Sequence, residues 1–235
     1  MNIVITGASR GIGFELAKKF VAIGKHNIVV IARNKDKIDE LKEICSKINS
    51  NSSIFPIQYN LLNVDTYQSV LFNEIKKHIT QIDVIVNNAG LLINKPFEKL
   101  SFDDISNTIN LNLLAPTLLI KSLLPLVNKG GHIVNISSMG GFQGSQKFPG
   151  LTVYSAAKAG LASLTECLAE EYKESGISFN CLAIGATDTE MLREAFPGYN
   201  APFSAEEMAD FIADFALSKS KFFNGKIIPV SVSTP

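Results

Sequence analysis

The chain has 235 residues, with 22 Lys plus Arg against 22 Asp plus Glu and 46% hydrophobic side chains. That length buries most of the unfolded surface without disulfide or metal staples, and the composition is that of a globular chain rather than a disordered or fibrous one. A formal net charge of zero leaves no global field to recruit nucleic acid or an anionic membrane surface.

The first strand is expected at Asn2–Thr6, followed by a helical stripe of Ile12, Leu16, Phe20 and Ile23 that Gly24 closes as a C-cap. A strand at Asn27–Ala32 leads to a second stripe of Ile38, Leu41, Cys45 and Ile48, and a strand at Ser53–Tyr59 leads to a third of Val64, Tyr67, Leu71 and Ile75. After a strand at Ile82–Asn87, Ser101 and Asp104 have the spacing of a capping box opening a helix that reaches toward Val127. Further strands at Gly131–Ser137, Ile177–Ala183 and Lys226–Val232 flank a helix marked by Leu161, Leu164 and Leu168. The strands read as continuous apolar runs, as they do when helices cover both faces of a parallel sheet. The expectation is one α/β domain over residues 1–235: a Rossmann-like, doubly wound, mostly parallel seven-stranded sheet. Residues 139–153 and 186–205 are irregular, the second read as a mobile flap. Both follow the C-terminal end of a strand, the edge where open α/β sheets bind ligands.

The cysteines Cys45, Cys167 and Cys181 form no CxxC and are read as small buried hydrophobes in a reducing compartment. The N-terminus has no basic segment followed by an apolar one, and no apolar run is read as long enough for a bilayer span, so cytoplasmic residence is expected.

Five constellations carry chemistry. Thr6-Gly7-Ala8-Ser9-Arg10-Gly11-Ile12-Gly13 closes the first strand and opens the first helix. Glycines there allow a tight turn and close backbone approach, and the helix N-terminus favours a pyrophosphate, although a purely structural turn would use the same residues. Tyr154 and Lys158 stand four apart on one helix face, where an ammonium favours phenolate and lowers the phenol pKa; an ordinary surface pair has the same spacing. Ser137-Ser138 ends a strand and offers a hydroxyl to a substrate oxygen, or simply turns the chain. Asn87-Asn88-Ala89-Gly90 is either a turn or a loop against a cofactor ribose. Pro116 lies four residues after Asn112 and deprives its carbonyl of the usual helical donor, which kinks the helix or leaves a water-holding acceptor.

Together, and in this order, these segments resemble the short-chain dehydrogenase/reductase family in its compact form, from Asn2 to about Thr189. The resemblance implies an oxidoreductase that moves a hydride between a nicotinamide cofactor and a small carbonyl or alcohol substrate. Tyr154 would be the general acid or base, Lys158 would hold the nicotinamide ribose and depress the Tyr154 pKa, Ser138 would orient the substrate carbonyl, and Asn112 would anchor a water leading to Lys158. Cofactor contacts would come from Gly7, Ser9, Arg10, Gly11, Ile12 and Gly13, from Asn60 and Leu61, and from Asn88, Ala89 and Gly90. Gly185, Thr187 and Thr189 would complete the set beside Tyr154 and Lys158. The chain departs from the family pattern at Asn60, where Asp is usual, at Ile184-Gly185 in place of Pro-Gly, in a long loop between Ser138 and Tyr154, and in a C-terminus at Pro229–Pro235 without Asp-Gly-Gly, which shortens the expected last strand.

Arg33 ends the second strand with no acid before Asp36, and Arg10 lies inside the glycine turn. Two guanidiniums beside the adenosine ribose select a 2′-phosphate, and hence NADP(H), over NAD(H). Leu151, Met191, Leu192, Phe196 and Phe203 offer an apolar substrate wall or core packing. The resemblance also implies a homodimer or homotetramer packed through the helices expected at 102–127 and 154–174, where Leu113, Leu114, Leu118 and Leu119, with Leu161, Leu164 and Leu168, are more apolar residues than one buried face requires. The rival reading is a non-catalytic nucleotide-binding regulator on the same fold.

Overall fold

A computed structural model describes residues 1–232. The chain runs β1 (Asn2–Thr6), α1 (Gly11–Ile23), β2 (Asn27–Ala32), α2 (Lys35–Ile48), β3 (Ser53–Gln58), α3 (Phe72–Lys76) and β4 (Ile82–Asn87). It continues through α4 (Phe102–Ile109), α5 (Ala115–Leu123), β5 (Val127–Ser138), α6 (Thr152–Glu171) and β6 (Ser178–Ile184). The last elements are β7 (Thr187–Asp188), α7 (Glu190–Ala195), β8 (Phe203–Ser204), α8 (Ala205–Ser218) and β9 (Lys226–Val230). The main sheet has seven strands in the order β3-β2-β1-β4-β5-β6-β9, and every pairing is parallel.

Alternation along each strand feeds two core layers. Ile3 and Ile5 of β1 and Ile28 and Val30 of β2 join Leu16, Phe20, Ile38, Leu41, Ile212 and Phe215 under α1, α2 and α8. Val4, Val29 and Ile31 face the other way, onto Leu71, Ile75, Leu119, Leu123 and Ala169 under α3, α5 and α6. Phe20 is fully buried, so Phe20→Ala would cost about 3–5 kcal/mol. The doubly wound, parallel sheet expected from the apolar runs is the one observed. β1, β2 and β4 keep their expected limits, β3 ends one residue early at Gln58, β6 is shifted by one residue to Ser178–Ile184, and β5 starts four residues earlier, at Val127.

Several local expectations are corrected. Ile23 and Ile48 are exposed, each in the last turn of its helix, and Ala17 and Val21 complete the buried face of α1 instead. Gly24 is extended (φ −177°) rather than a left-handed cap; a Cβ there would lie 2.7 Å from His26 Nε2, so close approach explains its small size. Cys45 and Cys181 are buried but Cys167 is exposed.

The capping box forms fully: Asp104 N donates to Ser101 Oγ at 3.1 Å and Ser101 N donates to Asp104 Oδ2 at 2.9 Å. The helix it opens is not uniform. A π turn, Asn110–Leu114, separates α4 from α5, and a 3-10 turn, Leu124–Leu126, precedes β5. The wider turn sits just before Pro116, whose missing N–H cannot close the ordinary bond to Asn112. Taken whole, Phe102–Leu126 is long and apolar enough, by length and composition, to cross a membrane, contrary to the sequence expectation. In the fold its Ala115, Leu119, Ile120 and Leu123 are core residues. The 186–205 segment contains α7 and has its ends joined by the parallel β7–β8 pair. β9 ends at Val230, two residues short of the expected Val232. The final residues of the C-terminal stretch, 233–235, lie outside the described residues.

Candidate active site

A cavity of about 570 Å³ opens at the C-terminal ends of β1, β2, β4, β5 and β6. At one end is the turn after β1. Gly7 has φ +73°, and a Cβ there would stand 2.8 Å from Ala89 Cα. Thr6 Oγ1 accepts from Asn88 N and Ala89 N, both at 3.1 Å, while Asn88 Nδ2 donates to Thr6 O at 3.1 Å and Gly7 O at 3.2 Å. The two glycine-bearing loops are therefore one bonded unit.

The N-terminus of α1 faces this end. It has no side-chain cap and no acid in its first turn, whereas Asn34, Ser101, Thr189 and Ser204 cap α2, α4, α7 and α8. Uncapped amides at a cavity wall, with neighbouring backbone too close to admit a Cβ, fit a bound pyrophosphate. These residues therefore fit a dinucleotide.

At the other end α6 presents Tyr154 and Lys158, and β5 ends in Ser138. Lys158 is buried, and its Nζ donates to Ile136 O at 2.8 Å and stands 5.9 Å from the Tyr154 ring centroid. Burial pushes the Tyr154 phenol up to about 12, against the opposing pull of a hydrogen bond with Ser138. Burial also pulls the Lys158 ammonium down to about 8, with Cys181 acting the other way. The sequence expectation is that Lys158 depresses the phenol pKa; among the protein groups alone the phenol moves up instead, because desolvation outweighs the Ser138 hydrogen bond.

All the sequence-derived site residues except Gly13 and Asn112 line this cavity. Gly13 lies behind the turn, where a Cβ would be 2.4 Å from Gly7 O, so it allows packing rather than contact with a ligand. Asn112 is buried beneath the site: its Nδ2 donates to Leu91 O at 2.7 Å and Thr108 O at 2.8 Å, and its Oδ1 accepts from Leu91 N at 3.2 Å. Those bonds fasten the chain after β4 to the π turn. Asn60, expected among the cofactor contacts, has its Oδ1 accepting from Leu62 N at 3.1 Å, where it shapes its own turn. Thr189 Oγ1 likewise caps α7 through Leu192 N at 3.2 Å. Ser137 does not line up with Ser138 as a second hydroxyl for substrate; it is buried and donates to Lys158 O at 2.8 Å.

Leu151, Met191, Leu192 and Phe196 line the cavity as an apolar wall, joined by Leu92, Phe148 and Tyr199, which sequence reasoning did not single out. Phe203 instead packs against the core beneath α8. The acidic face of α7 was also missed. Its Glu194 pairs with Arg10 across the cavity mouth, and the only local signal was the i, i+4 spacing of Glu190 and Glu194 after Thr189.

A family model described as short chain dehydrogenase matches residues 1–200. A fatty acyl-CoA reductase from Acinetobacter baylyi is 31% identical over 224 residues, 93% of this chain and 73% of that protein. A 3-oxoacyl-[acyl-carrier-protein] reductase from Synechocystis is 33% identical over 190 residues, covering 80% and 74%. The crystal structure of a short chain dehydrogenase from Burkholderia cenocepacia J2315 in complex with NADP has a TM-score of 0.87 at 22% identity, covering 99% of this chain and 96% of that one. A short chain dehydrogenase from Escherichia coli CFT073 complexed with NADPH has a TM-score of 0.86 at 25% identity, covering 97% and 95%. With the glycine turn, the strand-end loops and the Tyr154–Lys158 helix in place, this chain belongs to the short chain dehydrogenase family of nicotinamide-dependent oxidoreductases.

Proposed function

We propose that the chain is an NADP(H)-dependent carbonyl reductase or alcohol dehydrogenase, in which residues 1–235 form one cofactor-binding and catalytic unit. The observation that carries this reading is the convergence of Tyr154, Ser138 and Lys158 on one wall of a cavity whose far wall is the uncapped N-terminus of α1. The nicotinamide supplies the hydride chemistry when bound. Tyr154 Oη passes a proton to the substrate oxygen in reduction and takes it back in oxidation. Ser138 Oγ, which lines the same wall as the phenol, donates to the same substrate oxygen and fixes its position. Lys158 would hold the nicotinamide ribose, and Asn112 fixes the chain after β4 by anchoring Leu91.

Arg33 and Arg10 both line the adenosine end of the cavity, and among the described residues Arg33 makes no ion pair. A 2′-phosphate there gains charge-assisted contacts that NAD(H) lacks, so NADP(H) is the preferred cofactor. The wall formed by Leu151, Met191, Leu192 and Phe196 takes an apolar substituent of the carbonyl. Of the leucines expected at a subunit interface, Leu119 and Leu161 are buried in the core, whereas Leu114 is exposed and Leu113, Leu118, Leu164 and Leu168 are half-buried; a second copy packs over these as a homodimer or homotetramer.

The test is consumption of NADPH, followed by absorbance, with a carbonyl panel that includes 3-oxoacyl and fatty acyl thioesters, the substrate types named for two relatives. Turnover of a carbonyl with NADPH is expected. Tight NADPH binding without turnover across the panel would favour the regulator, and equal affinity for NADH and NADPH would overturn the cofactor assignment.

A further inference from the structure

The Arg10 guanidinium already holds a carboxylate. Its Nη1 donates to Glu194 Oε1 at 2.5 Å and its Nη2 to Glu194 Oε2 at 3.3 Å. This bidentate bridge uses the terminal edge of the guanidinium fork and ties the glycine turn to α7, 184 positions away in the chain. Each partner holds the other charged: the bond raises the Arg10 pKa and lowers that of Glu194. Glu190, one turn earlier on α7, adds to the negative potential at Arg10, and its Oε2 lies 3.6 Å from where a Cβ on Gly11 would stand. Two carboxylates therefore face the mouth of the cavity beside the uncapped N-terminus of α1.

We propose that Glu194 is a cofactor-selectivity residue, whose carboxylate competes with the 2′-phosphate of NADP(H) for the Arg10 guanidinium. The inference rests on the NADP(H) reading above. A guanidinium offers five N–H donors in a fixed fork, and a bidentate anion takes one edge of it. A phosphate that claims the Nη1–Nη2 edge displaces the carboxylate; one that takes the remaining edge stands beside it and meets like-charge repulsion. Either route penalises NADP(H), and neither touches NAD(H), which carries a 2′-hydroxyl. Arg33, without a competing carboxylate among the described residues, gives the preference for NADP(H), and Glu194 trims it. The bridge is exposed, with side chains 46% and 63% accessible. Exposed pairs are weak, which sets the penalty at about two- to fivefold in Kd.

The test is equilibrium titration of NADPH and NADH by cofactor fluorescence at moderate salt, on the wild type, Glu194→Gln, Glu190→Gln, Arg10→Ala and the Arg10→Ala/Glu194→Gln double variant. Glu194 is exposed at the surface, and thermal melts check that each variant is folded. Glu194→Gln should tighten NADPH about two- to fivefold and leave NADH within about twofold. The gain should disappear when Arg10 is already Ala, and Glu190→Gln should give a smaller gain. Weaker or unchanged NADPH binding in Glu194→Gln, an equal gain for both cofactors, or a gain that survives without Arg10 overturns the proposal. So does an equal gain from Glu190→Gln, which would make the effect the field of α7 rather than the bridge. A wild type that binds NADH as well as NADPH overturns the NADP(H) reading and this inference with it. That outcome is visible before any variant is made, so the two failures are distinguishable.

Discussion

Tyr154→Phe removes one hydroxyl and keeps the ring, and the structure bounds the side effects. The ring stays packed with Lys158 Nζ 5.9 Å from its centroid, and Ser138 Oγ keeps the N–H of Gly140 at 3.1 Å. One neutral hydrogen bond is lost, about 1 kcal/mol, which for a chain of this size is about 2–4 °C in Tm. Loss of a placed proton donor costs about 10²–10⁴ in rate, or about 2.7–5.4 kcal/mol of barrier. The kinetic effect therefore exceeds the structural one several-fold, and an assay can separate them. NADPH oxidation at saturating carbonyl gives kcat, fluorescence titration gives the cofactor Kd, and a thermal melt gives the stability change. The expected result is a collapse of kcat at an unchanged cofactor Kd, with a Tm only a few degrees lower. Because burial holds the phenol up at about 12, the wild-type reduction rate should not fall through phenol ionisation between pH 6 and 9. A folded Tyr154→Phe protein with kcat within about fivefold of the wild type would refute the assignment.

Lys158→Met should raise the cofactor Kd and lower kcat together, each about tenfold or more, because it removes a charged donor; unchanged cofactor binding would exclude the ribose contact. With the ammonium pulled down to about 8, wild-type cofactor affinity should also weaken as pH rises through that value. Arg33→Ala should weaken NADPH about tenfold or more with little effect on NADH, and the difference should shrink as salt rises; equal losses for both cofactors would sink the phosphate contact. Leu114→Arg, on the exposed apolar face of the π turn, should convert an oligomer to monomers by light scattering, and a wild type that is already monomeric at micromolar concentration counts against the interface. His132 is buried and held neutral by desolvation, its Nδ1 bonded to Ala216 O at 2.9 Å. Its folded pKa lies below the unfolded value of about 6.5, so the unfolded chain takes up the proton first and stability falls as pH drops below about 6.5. Urea unfolding between pH 5 and 7.5 measures that slope, and an NMR titration in which His132 protonates above pH 6.5 would contradict it.

The sheet was legible because a parallel strand buried on both faces has no alternation to obscure it: Ile28–Ala32 is apolar at every position, and both core layers take from it. The chemistry was legible where it is local, in the glycine turn and in Tyr154 and Lys158 one turn apart. What spacing cannot carry is desolvation, so the phenol was expected to shift down and shifts up. Nor does local pattern reveal contacts closed by the fold. Arg10 reads as an unpaired phosphate ligand, and only the fold shows Glu194 of α7 paired with it; Phe203 reads equally as pocket or core until β8 turns it toward α8. The π turn left one sign, Pro116, because one extra residue in a turn barely disturbs the apolar periodicity of Leu111–Leu119. The helix α7 was hidden among Pro197, Gly198 and Pro202, although Thr189 is a good N-cap and Glu190–Ala195 are mostly helix formers.

Both reactive side chains stand on α6, so the site is only as well defined as the seating of that helix on β5. Apolar contact is non-directional and would tolerate rotation or sliding. Hydrogen bonds do not, and the interface is built on them. Asn135 and Ser137 alternate onto the helix side of β5; Asn135 Nδ2 donates to Thr165 Oγ1 at 2.9 Å and Ser137 Oγ to Lys158 O at 2.8 Å. Lys158 Nζ returns a bond to Ile136 O, and Asn87 Nδ2 supports Asn135 from β4 at 2.8 Å. The turn after β5 closes on the same helix, since a Cβ on Gly141 would lie 2.6 Å from Ala159 N. A one-residue slip would rotate α6 by about 100°, break the three bonds that join α6 to β5 and swing Tyr154 away from Ser138. The network has a cost, for Asn87 Oδ1 is buried without a partner among the described residues. A purely apolar interface would avoid that cost but would not fix the register, and a phenol placed for proton transfer needs the register fixed to well under an ångström.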